Sequence, residues 1–453
     1  MTTDDARQLS FEEARRYLLD RARERGVSLE VFASRGTETT VRAFGGDVAE
    51  FKLSSRQGVG LRALVGGAWG YAYSENLSRG ALDRALASAV ENAELVAPEG
   101  HARLGAWAEP PEMDLHGEGL SGVTVERKVQ AALKLEEAAR TGDARVVSVP
   151  YSAYSDGESE TAVANTEGLD RAFRELHAYQ YVAPLVSEGG QNKMKMEFEF
   201  TREFEELDPT RTALEATRAA TALLGARPAP SGAFPAVIDR RCMADFLAVF
   251  SGMFSAKMAQ EGKSPLAGRE GEAAFHELVT LVDDATLARG QNSRPFDVEG
   301  FPSAPLTLVE GGVLRGFLHN TETASRAGVE STGHASRYGY RGTVGVAPTN
   351  LFLKPGAGTR EALLRDLGTG LLLTDVQGAH AGANPITGEF SLQAEGFWVE
   401  NGEVAYPLDV FTVAGNILDV LRDVRAVGAD LEFTPGGTGA PSVLIGSIDV
   451  GGQ

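Results

Sequence analysis

The sequence predicts an α+β protein in which an N-terminal α/β domain with mainly antiparallel strands precedes a β-rich C-terminal domain. Helical patterns flank clusters of short β-like runs twice in the first half of the chain, which indicates an internal duplication. A Pro/Gly-rich segment, Arg227–Gly232, then interrupts the pattern, and hairpin signals dominate the remainder. We therefore expect domains at 1–226 and at 232–453, with a division of the first into repeats 1–100 and 120–226 as an alternative.

The N-terminal elements are predicted from helix caps and from alternation of apolar residues. Ser10-Phe-Glu-Glu13 fits a capping box, in which the serine hydroxyl and the glutamate carboxylate satisfy free backbone donors. The clearest strand is Lys193–Phe200, whose apolar side chains alternate onto one face: Met194, Met196, Phe198 and Phe200. The elements expected in order are a helix at 10–25, strands within 29–73, helices at 77–96 and 124–140, strands within 146–200, and a helix beginning at the Asp208 cap and Pro209.

The C-terminal elements begin after the Pro/Gly-rich segment. A strand is predicted at Phe234–Ile238, followed by a helix from Arg240 to about Gln260. Two hairpins have strong turn signals, one at Gly311-Gly312 and one at Asn401-Gly402. A β-rich domain with a few helices is therefore expected.

Composition excludes several classes of protein. The formal charge of −20, with no run of five or more Lys or Arg, disfavours direct nucleic-acid binding. No apolar run approaches the roughly 18 to 20 residues that span a bilayer, and the acidic Met1–Asp5 segment has no leader-like apolar region after it. We expect a cytoplasmic protein without membrane contact. The single cysteine, Cys242, rules out an internal disulfide and is expected to be a buried thiol.

Two glycine motifs that could bind phosphates are better explained as turns. Gly58-Val-Gly-Leu-Arg-Ala63 matches a relaxed dinucleotide fingerprint, but strand-like sequence follows it where a helix would be required. Gly262-Lys263-Ser264 lacks the first glycine of a phosphate-binding loop, because Lys257 occupies that place. No Gly-x-Ser-x-Gly elbow is present. The sequence therefore favours neither a nucleotide cofactor nor a serine hydrolase.

The histidines do not have the spacing of a helical zinc site. Such a site needs two imidazoles about one turn apart and a carboxylate that activates water. No two of the seven histidines lie closer than 15 residues, and His276-Glu277 has no second histidine after it. His276 is interpreted as structural or solvent-facing. Assembly of His319, His334 and His380 from distant parts of the chain stays an alternative.

Two acidic pairs could form a general acid/base site. Asp283-Asp284 is interpreted as the turn after a strand, and Glu205-Glu206 as a solvated approach to the Asp208 cap. We assign no catalytic residue and no metal ligand to this chain.

Several motifs in order resemble the TldD/PmbA family, also called peptidase U62 or modulator of DNA gyrase. They are Arg56–Arg62, Gly67–Ser74, Leu281–Asp284, Gly316–Asn320, Ser331–Ser336 and the long run Leu371–Asp430. The resemblance covers nearly the whole chain. It implies an N-terminal α/β domain, a β-rich C-terminal domain and paired subunits that enclose a cavity reached by peptides.

The resemblance also implies which branch of the family this chain is similar to. The TldD branch carries a His-Glu-x-x-x-His helix and, near the end of the domain, a cysteine ligand. The corresponding helix here, Met243–Met258, contains neither His nor Glu, and the corresponding loop, Phe433–Ser442, has no cysteine. The chain therefore resembles the TldE/PmbA branch. We expect it to bind no cofactor, with zinc in a TldD-like partner.

The resemblance and the residue pattern together suggest a function and two candidate regions. We expect a zinc-free subunit of a peptidase complex that pairs with a TldD-like zinc subunit, or with itself, and holds unfolded peptides. Phe246, Phe250 and Met253 recur at helical spacing, typical of core, with a cavity or interface as the alternative. A strand edge is expected to bind peptide by strand addition, at Thr387, Gly388, Glu389, Phe390 and Ser391.

Two alternatives remain open at this point. The chain could be a metallopeptidase in its own right with an atypical metal site, or a homodimeric regulatory protein that binds peptides.

Overall fold

The structure is a computed structural model that describes residues 7–98, 100–117, 120 and 122–452. The acidic Met1–Asp5 segment, on which the expectation of no leader rests, lies outside the described residues. None of the helices in these described ranges is long and apolar enough to cross a membrane.

The N-terminal half contains two successive rounds of a helix, a set of strands and a second helix. The first round is α1 Phe11–Glu24, β1 Ser28–Phe44, β2 Asp47–Val65, β3 Ala68–Ser74 and α2 Arg79–Glu94. The second is α3 Val125–Thr141, β4 Val146–Asn165, β5 Asp170–Glu188, β6 Gln191–Met194, β7 Glu197–Thr201 and α4 Pro209–Thr221. The predicted capping box at Ser10 is confirmed, as is the Asp208 cap, whose side chain accepts from Thr210 and Arg211.

All seven N-terminal strands form one antiparallel sheet in the order β3-β2-β1-β4-β5-β6, with β7 also on β5. The alternation of side chains decides what each face contacts. Leu29, Val31 and Val41 of β1 lie in the clusters beneath the helices, whereas Phe32 packs with Phe296 from the C-terminal half. The sheet therefore has four helices on one face and C-terminal loops on part of the other.

The predicted strand Lys193–Phe200 is wrong as one continuous element. It is broken between β6 and β7 at Lys195 and Met196. Met194 and Met196 are exposed, so these residues do not form the apolar face that alternation suggested. The break turns Lys195 toward the C-terminal half, where its ammonium pairs with Asp375.

The C-terminal half contains many short strands. Its elements are β8 Gly232–Ile238, α5 Arg240–Phe250, α6 Ala256–Gln260, β9 Leu281–Asp283, β10 Leu306–Glu310, β11 Val313–Leu314, α7 Thr321–Ala327, β12 Ala335–Ser336, β13 Gly345–Val346, β14 Leu351–Leu353, α8 Arg360–Leu367, β15 Gly370–Gln377, α9 Ala379–Gly382, β16 Glu389–Glu400, β17 Glu403–Pro407, β18 Phe411–Asn416, α10 Ile417–Arg422, β19 Val424–Val427, β20 Glu432–Phe433, β21 Gly439–Ala440 and β22 Val443–Gly451. Short 3-10 turns lie at Phe204–Glu206, Ser251–Phe254 and Gly339–Arg341.

Five of these strands close into a small barrel. The ring runs β15-β8-β22-β18-β16 and closes because β16 also pairs with β15. A second sheet has the order β11-β10-β9-β14-β21-β20, and β12 pairs with β13. Both predicted hairpin turns are confirmed, and Asn401 takes the left-handed conformation (φ 53°) that its turn with Gly402 requires. The predicted fold class, α+β with a β-rich C-terminal half, is confirmed.

Candidate functional site

Helix α5 lies where the barrel, the second sheet and the N-terminal sheet meet. It follows β8 directly and is capped by Asp239, whose carboxylate accepts from the Arg241 amide at 3.3 Å. Its apolar face enters the core, where Phe246 and Phe250 contact the ring of Phe390 inside the barrel. The opposite face carries Arg241 and Asp245, one turn apart, and is open to polar neighbours.

The residues proposed for a cavity or interface helix are core residues. Phe246, Phe250 and Met253 are each almost completely buried within the chain, as the core interpretation expects. The single helix expected to Gln260 is wrong. The Ala256 amide donates to Leu318, and the Leu318 amide donates to Phe254, so the chain is extended at this point and α6 starts afresh.

Charged side chains surround the open face of α5 and form what we call the α5 ion cluster: Lys195, Glu197, Arg241, Asp245, Asp375, Glu395 and Glu432. The Lys195 ammonium lies between the carboxylates of Asp375 and Glu395, 2.7 Å from the latter. The Arg241 guanidinium bridges Glu197 of β7 and Glu432 of β20. Two cations therefore join the N-terminal sheet to the C-terminal half.

Asp245 differs from the rest of the cluster because its charge is poorly compensated. Burial and then the neighbouring Asp375 carboxylate raise the pKa of Asp245 to about 6, against the opposing effects of Arg241 and Lys195. Burial likewise raises the pKa of the Glu197 carboxyl. The cluster holds five carboxylates and two cations, and Arg240 also pairs with Glu432. Carboxylates still outnumber cations, so the cluster favours a positively charged ligand such as an ammonium group or a protonated side chain.

The residues at α5 do not fit a zinc ion. The helix and the following turn contain no His or Glu, and the loop that ends in β21 contains no Cys. Cys242 is fully buried, and burial raises the pKa of its thiol. The thiol therefore stays protonated, whereas a metal ion binds the thiolate. Throughout the described ranges, no three His, Cys, Asp or Glu side chains are arranged to hold a metal ion.

The three distant histidines do not converge on one site, although His319 and His334 are neighbours. Both ring nitrogens of His334 are engaged, Nδ1 with Thr332 Oγ1 at 2.8 Å and Nε2 with Asp283 Oδ1 at 2.9 Å. His319 lies beside it, and burial lowers the pKa of its imidazole. His380 is exposed on α9. His276, half-buried, accepts from the Leu278 amide, which supports its structural interpretation.

The expectation of a turn at Asp283-Asp284 is wrong for Asp283. This residue is inside β9 and fully buried, where its carboxylate also accepts the Thr349 amide at 2.8 Å. Asp284 does form a turn, because its carboxylate accepts from the Thr286 amide at 2.7 Å. The second acidic pair, Glu205-Glu206, is exposed just before the Asp208 cap, as expected, and makes ion pairs with Arg127 and Arg289 that the sequence did not predict.

The proposed peptide-binding strand has no free backbone edge at its first residues. Phe390 pairs with Gly415 of β18 on one side and with Ala383 on the other, so the expected open edge is wrong there. Phe390 is buried in the barrel, and Gly388 forms a left-handed turn (φ 82°). The side chains of Thr387, Glu389 and Ser391 are exposed on the barrel exterior, and their contact with a peptide stays a prediction.

Sequence reasoning missed the α5 ion cluster. Lys195 looked like one polar residue of an alternating strand, and Asp375 follows the apolar run Leu371–Leu373. A signal was present in Asp375, since a charge two residues after an apolar run, still within the strand, needs a partner when that strand is buried. Its partner Lys195 lies 180 residues away, so no local pattern could identify it.

Comparisons with known proteins match the chain almost throughout. Models of PmbA/TldA metallopeptidases match as domain 1 at 29–93, the central domain at 118–224 and the C-terminal domain at 231–452. A metalloprotease of Methanothermobacter thermautotrophicus is 30% identical over 432 residues, which covers 90% of this chain and 91% of that protein. A metalloprotease PmbA homologue of Haemophilus influenzae is 26% identical over 435 residues, covering 94% and 93%.

A solved structure is similar over the same extent. A Thermotoga maritima protein described as a proposed modulator of a DNA gyrase superposes with a TM-score of 0.90 at 33% identity. The match covers 97% of this chain and all of that one.

Proposed function

Because this chain belongs to the PmbA/TldD metallopeptidase family, we propose that it is a zinc-free member of the TldE/PmbA type. It binds extended peptides and completes the peptidase assembly of a zinc-bearing, TldD-like partner. The observation that carries this proposal is the state of α5. Where the resemblance places a zinc helix, the chain has a core-facing apolar side and an ion-paired polar side.

The chemistry of hydrolysis supports the absence of independent activity. Cleavage of a peptide bond by a zinc peptidase needs a metal-bound water and a general base close to it. Asp245 is the residue on α5 closest to a general base, since its pKa of about 6 is suitable for proton transfer near neutral pH. Without an electrophile to polarise the peptide carbonyl, the Asp245 carboxylate alone does not accelerate hydrolysis of the peptide bond.

The same carboxylates support a role in holding peptides. The α5 ion cluster combines partly buried carboxylates, in excess over the cations, with fixed cations, which suits the N-terminus or a lysine side chain of an extended peptide. The exposed side chains of Glu389 and Ser391 alternate with buried Phe390 along β16, so they present polar atoms on one outer surface. We propose that these two regions contact the peptide.

Metal content and activity test the proposal. The purified chain is assayed alone, the zinc-bearing homologue from the same genome is assayed alone, and the two are assayed together on an unfolded protein substrate. We expect substoichiometric zinc and no hydrolysis by this chain, with faster hydrolysis by the mixture than by the homologue. Stoichiometric zinc, together with hydrolysis by this chain that is lost in His319→Ala or His334→Ala, would overturn it.

Peptide binding is tested separately by fluorescence anisotropy with a labelled, unstructured, lysine-containing peptide. Glu389→Lys should weaken binding, because it replaces an attractive charge with a repulsive one. Glu137→Lys makes the same charge change on an exposed position of α3 and serves as the matched control. Equal affinities for the two variants would remove β16 from the proposed binding surface.

A further inference from the structure

The part of the N-terminal sheet that the C-terminal loops leave uncovered contains a small polar pocket, which we call the sheet pocket. Its volume is about 60 Å³. Residues directly opposite each other on neighbouring antiparallel strands point to the same face of a sheet. Two adjacent rows of such residues form the pocket, the first with Arg56, Gly36 and Ser159, the second with Ser54, Glu38, Gly157 and His177.

Two glycines leave the space that the sheet pocket occupies. Gly36 lies between Arg56 and Ser159 in its row and has no side chain to fill the gap. Gly157 lies beneath the ring of His177, where an added Cβ would be only 2.8 Å from the Cε1 atom of that ring. The imidazole therefore leans over β4 and forms one wall of the pocket.

The polar side chains around the sheet pocket have few partners within the chain. Those of Ser54, Arg56 and His177 make no hydrogen bond or ion pair with any residue that the structure describes. Glu38 accepts one long hydrogen bond, 3.4 Å from the Tyr179 hydroxyl. Polar groups that converge on one concave site and have no internal partner are available to a ligand.

The two full charges of the sheet pocket do not neutralise each other. Glu38 and Arg56 are diagonal neighbours on β1 and β2, a separation that long side chains can bridge. Nevertheless, neither forms an ion pair within 4.0 Å in the described part of the chain. The pocket therefore presents a carboxylate and a guanidinium as separate, opposite charges.

His177 adds a neutral group to these two charges. Burial lowers the pKa of its imidazole, against the opposing effects of Glu175 and Glu38. The ring is therefore neutral at pH 7, with one nitrogen that donates a hydrogen bond and one that accepts. The hydroxyls of Ser54 and Ser159 can also donate or accept.

We propose that the sheet pocket binds the zwitterionic head group of a free α-amino acid. The ammonium group donates to the Glu38 carboxylate, and the carboxylate group accepts from the Arg56 guanidinium. Both contacts are charge-assisted hydrogen bonds, which are stronger than neutral ones. The volume of about 60 Å³ suits the few non-hydrogen atoms of such a head group.

This ligand differs from the extended peptide assigned to β16 and the α5 ion cluster. A residue inside a peptide carries neither backbone charge, and a terminal residue carries only one. Only the free amino acid matches both Glu38 and Arg56. Its binding requires neither zinc nor a peptidase partner, so failure of the peptidase assay would leave this proposal intact.

Glycine and three simpler probes test the requirement for two charges. Methylammonium carries only the cation, acetate only the anion, and acetamide a neutral amide. Binding is followed by NMR through the imidazole Cε1–H signals of isotope-labelled histidine, and His177→Gln identifies the His177 signal among the seven histidines. We expect glycine to shift that signal with a Kd of about 1–10 mM. The other probes should bind about tenfold more weakly, because each lacks at least one charge.

Variants of the two charged residues separate the two halves of the site. Glu38→Gln should weaken glycine binding about fivefold or more and remove its advantage over acetate. Arg56→Gln should do the same and remove its advantage over methylammonium. Arg42→Gln and Glu50→Gln are the matched controls, because they change the same charges on the same face and strands, where Arg42 and Glu50 pair with each other at 3.5 Å. Neither control should change glycine binding.

A steric variant tests the space itself. Gly36→Ala places a methyl group in the sheet pocket, 3.0 Å from the Glu158 carbonyl oxygen and 3.3 Å from Cβ of Ser159. It leaves every charge in place and should abolish glycine binding. Circular dichroism checks that this variant folds.

Three results would overturn the inference. The first is a wild-type affinity for acetate, methylammonium or acetamide equal to that for glycine, which would show a site for one charge or for an amide. The second is a loss of glycine binding in Arg42→Gln as large as in Arg56→Gln. The third is a His177 signal that does not shift up to about 100 mM glycine, far above the expected Kd, which would mean that the pocket holds only water.

Discussion

Arg62 is the residue whose removal should destabilise the protein most clearly. Its guanidinium donates to Glu30 of the N-terminal sheet and to Glu299 of the C-terminal half, at 2.8 Å each. It also stacks 4.1 Å from the ring centroid of Trp69. All three charged side chains are at most 2% exposed. Arg62→Ala would leave two buried carboxylates without their cation.

The magnitude follows from that burial. Removing one partner of a buried ion pair costs about 3–5 kcal/mol, because the remaining charge stays desolvated. Burial already raises the pKa of the Glu30 carboxyl, and Arg62 is the main opposing influence. We therefore expect Arg62→Ala to lower the free energy of unfolding by about 3–5 kcal/mol. Arg16→Ala, which removes an exposed pair with Glu12, should cost under about 0.5 kcal/mol.

Urea unfolding followed by tryptophan fluorescence and circular dichroism measures both variants. Trp69 reports the site itself, because Arg62 lies on its ring. A third variant, Arg62→Met/Glu30→Gln/Glu299→Gln, removes all the charges and should recover most of the stability. If Arg62→Ala costs no more than Arg16→Ala, the buried triad does not stabilise the junction between the two halves and the reasoning is refuted.

Three further predictions concern α5 and the barrel. Asp245→Asn should be about 2–3 kcal/mol more stable than wild type at pH 8 but equal to it near pH 4. The pKa of Asp245 in the folded protein, about 6, lies above its unfolded value, so the wild-type protein loses stability as pH rises from about 4 to 6. A stability difference between wild type and Asp245→Asn that does not change with pH would contradict this. Lys195→Met should lower the free energy of unfolding in urea by about 1–3 kcal/mol, because it leaves two carboxylates without their cation. The exposed Lys263→Met should lower it by under about 0.5 kcal/mol. Equal losses for the two variants would exclude a bridging role for Lys195. Phe390→Ala should lower the free energy of unfolding by about 3–5 kcal/mol, because Phe390 is buried. Phe44→Ala, at an exposed position, should lower it by about 0.5 kcal/mol or less. A small loss for Phe390→Ala would mean that this ring does not stabilise the core.

Local patterns predicted the parts of the fold that depend on neighbouring residues. The Ser10 capping box and the Asn401-Gly402 turn both form as expected, because their partners are within three residues. Phe246 and Phe250, which recur at helical spacing, are buried. These features depend on backbone propensity and burial of one face, which adjacent residues decide.

Errors arose where a distant contact prevailed over the local pattern. The strand at 193–200 breaks because Lys195 reaches Asp375, and the helix after Phe250 breaks because Leu318 pairs with the backbone there. Phe390 looked like part of an edge because the closure of β16 onto β15 and β18 is invisible in the sequence. Asp283 looked like a turn residue because its partners His334 and Thr349 are far along the chain.

The sequence by itself determined the class of fold, the family resemblance and the absence of the zinc-ligand residues, since these depend on which residues are present and in what order. Only the tertiary structure decided which charges meet and that α5 bears an ion cluster. The physical reason is that ion pairing and strand pairing act over a few ångströms of space, and folding brings together residues far apart in the chain, such as Arg62 and Glu299, which are 237 positions apart.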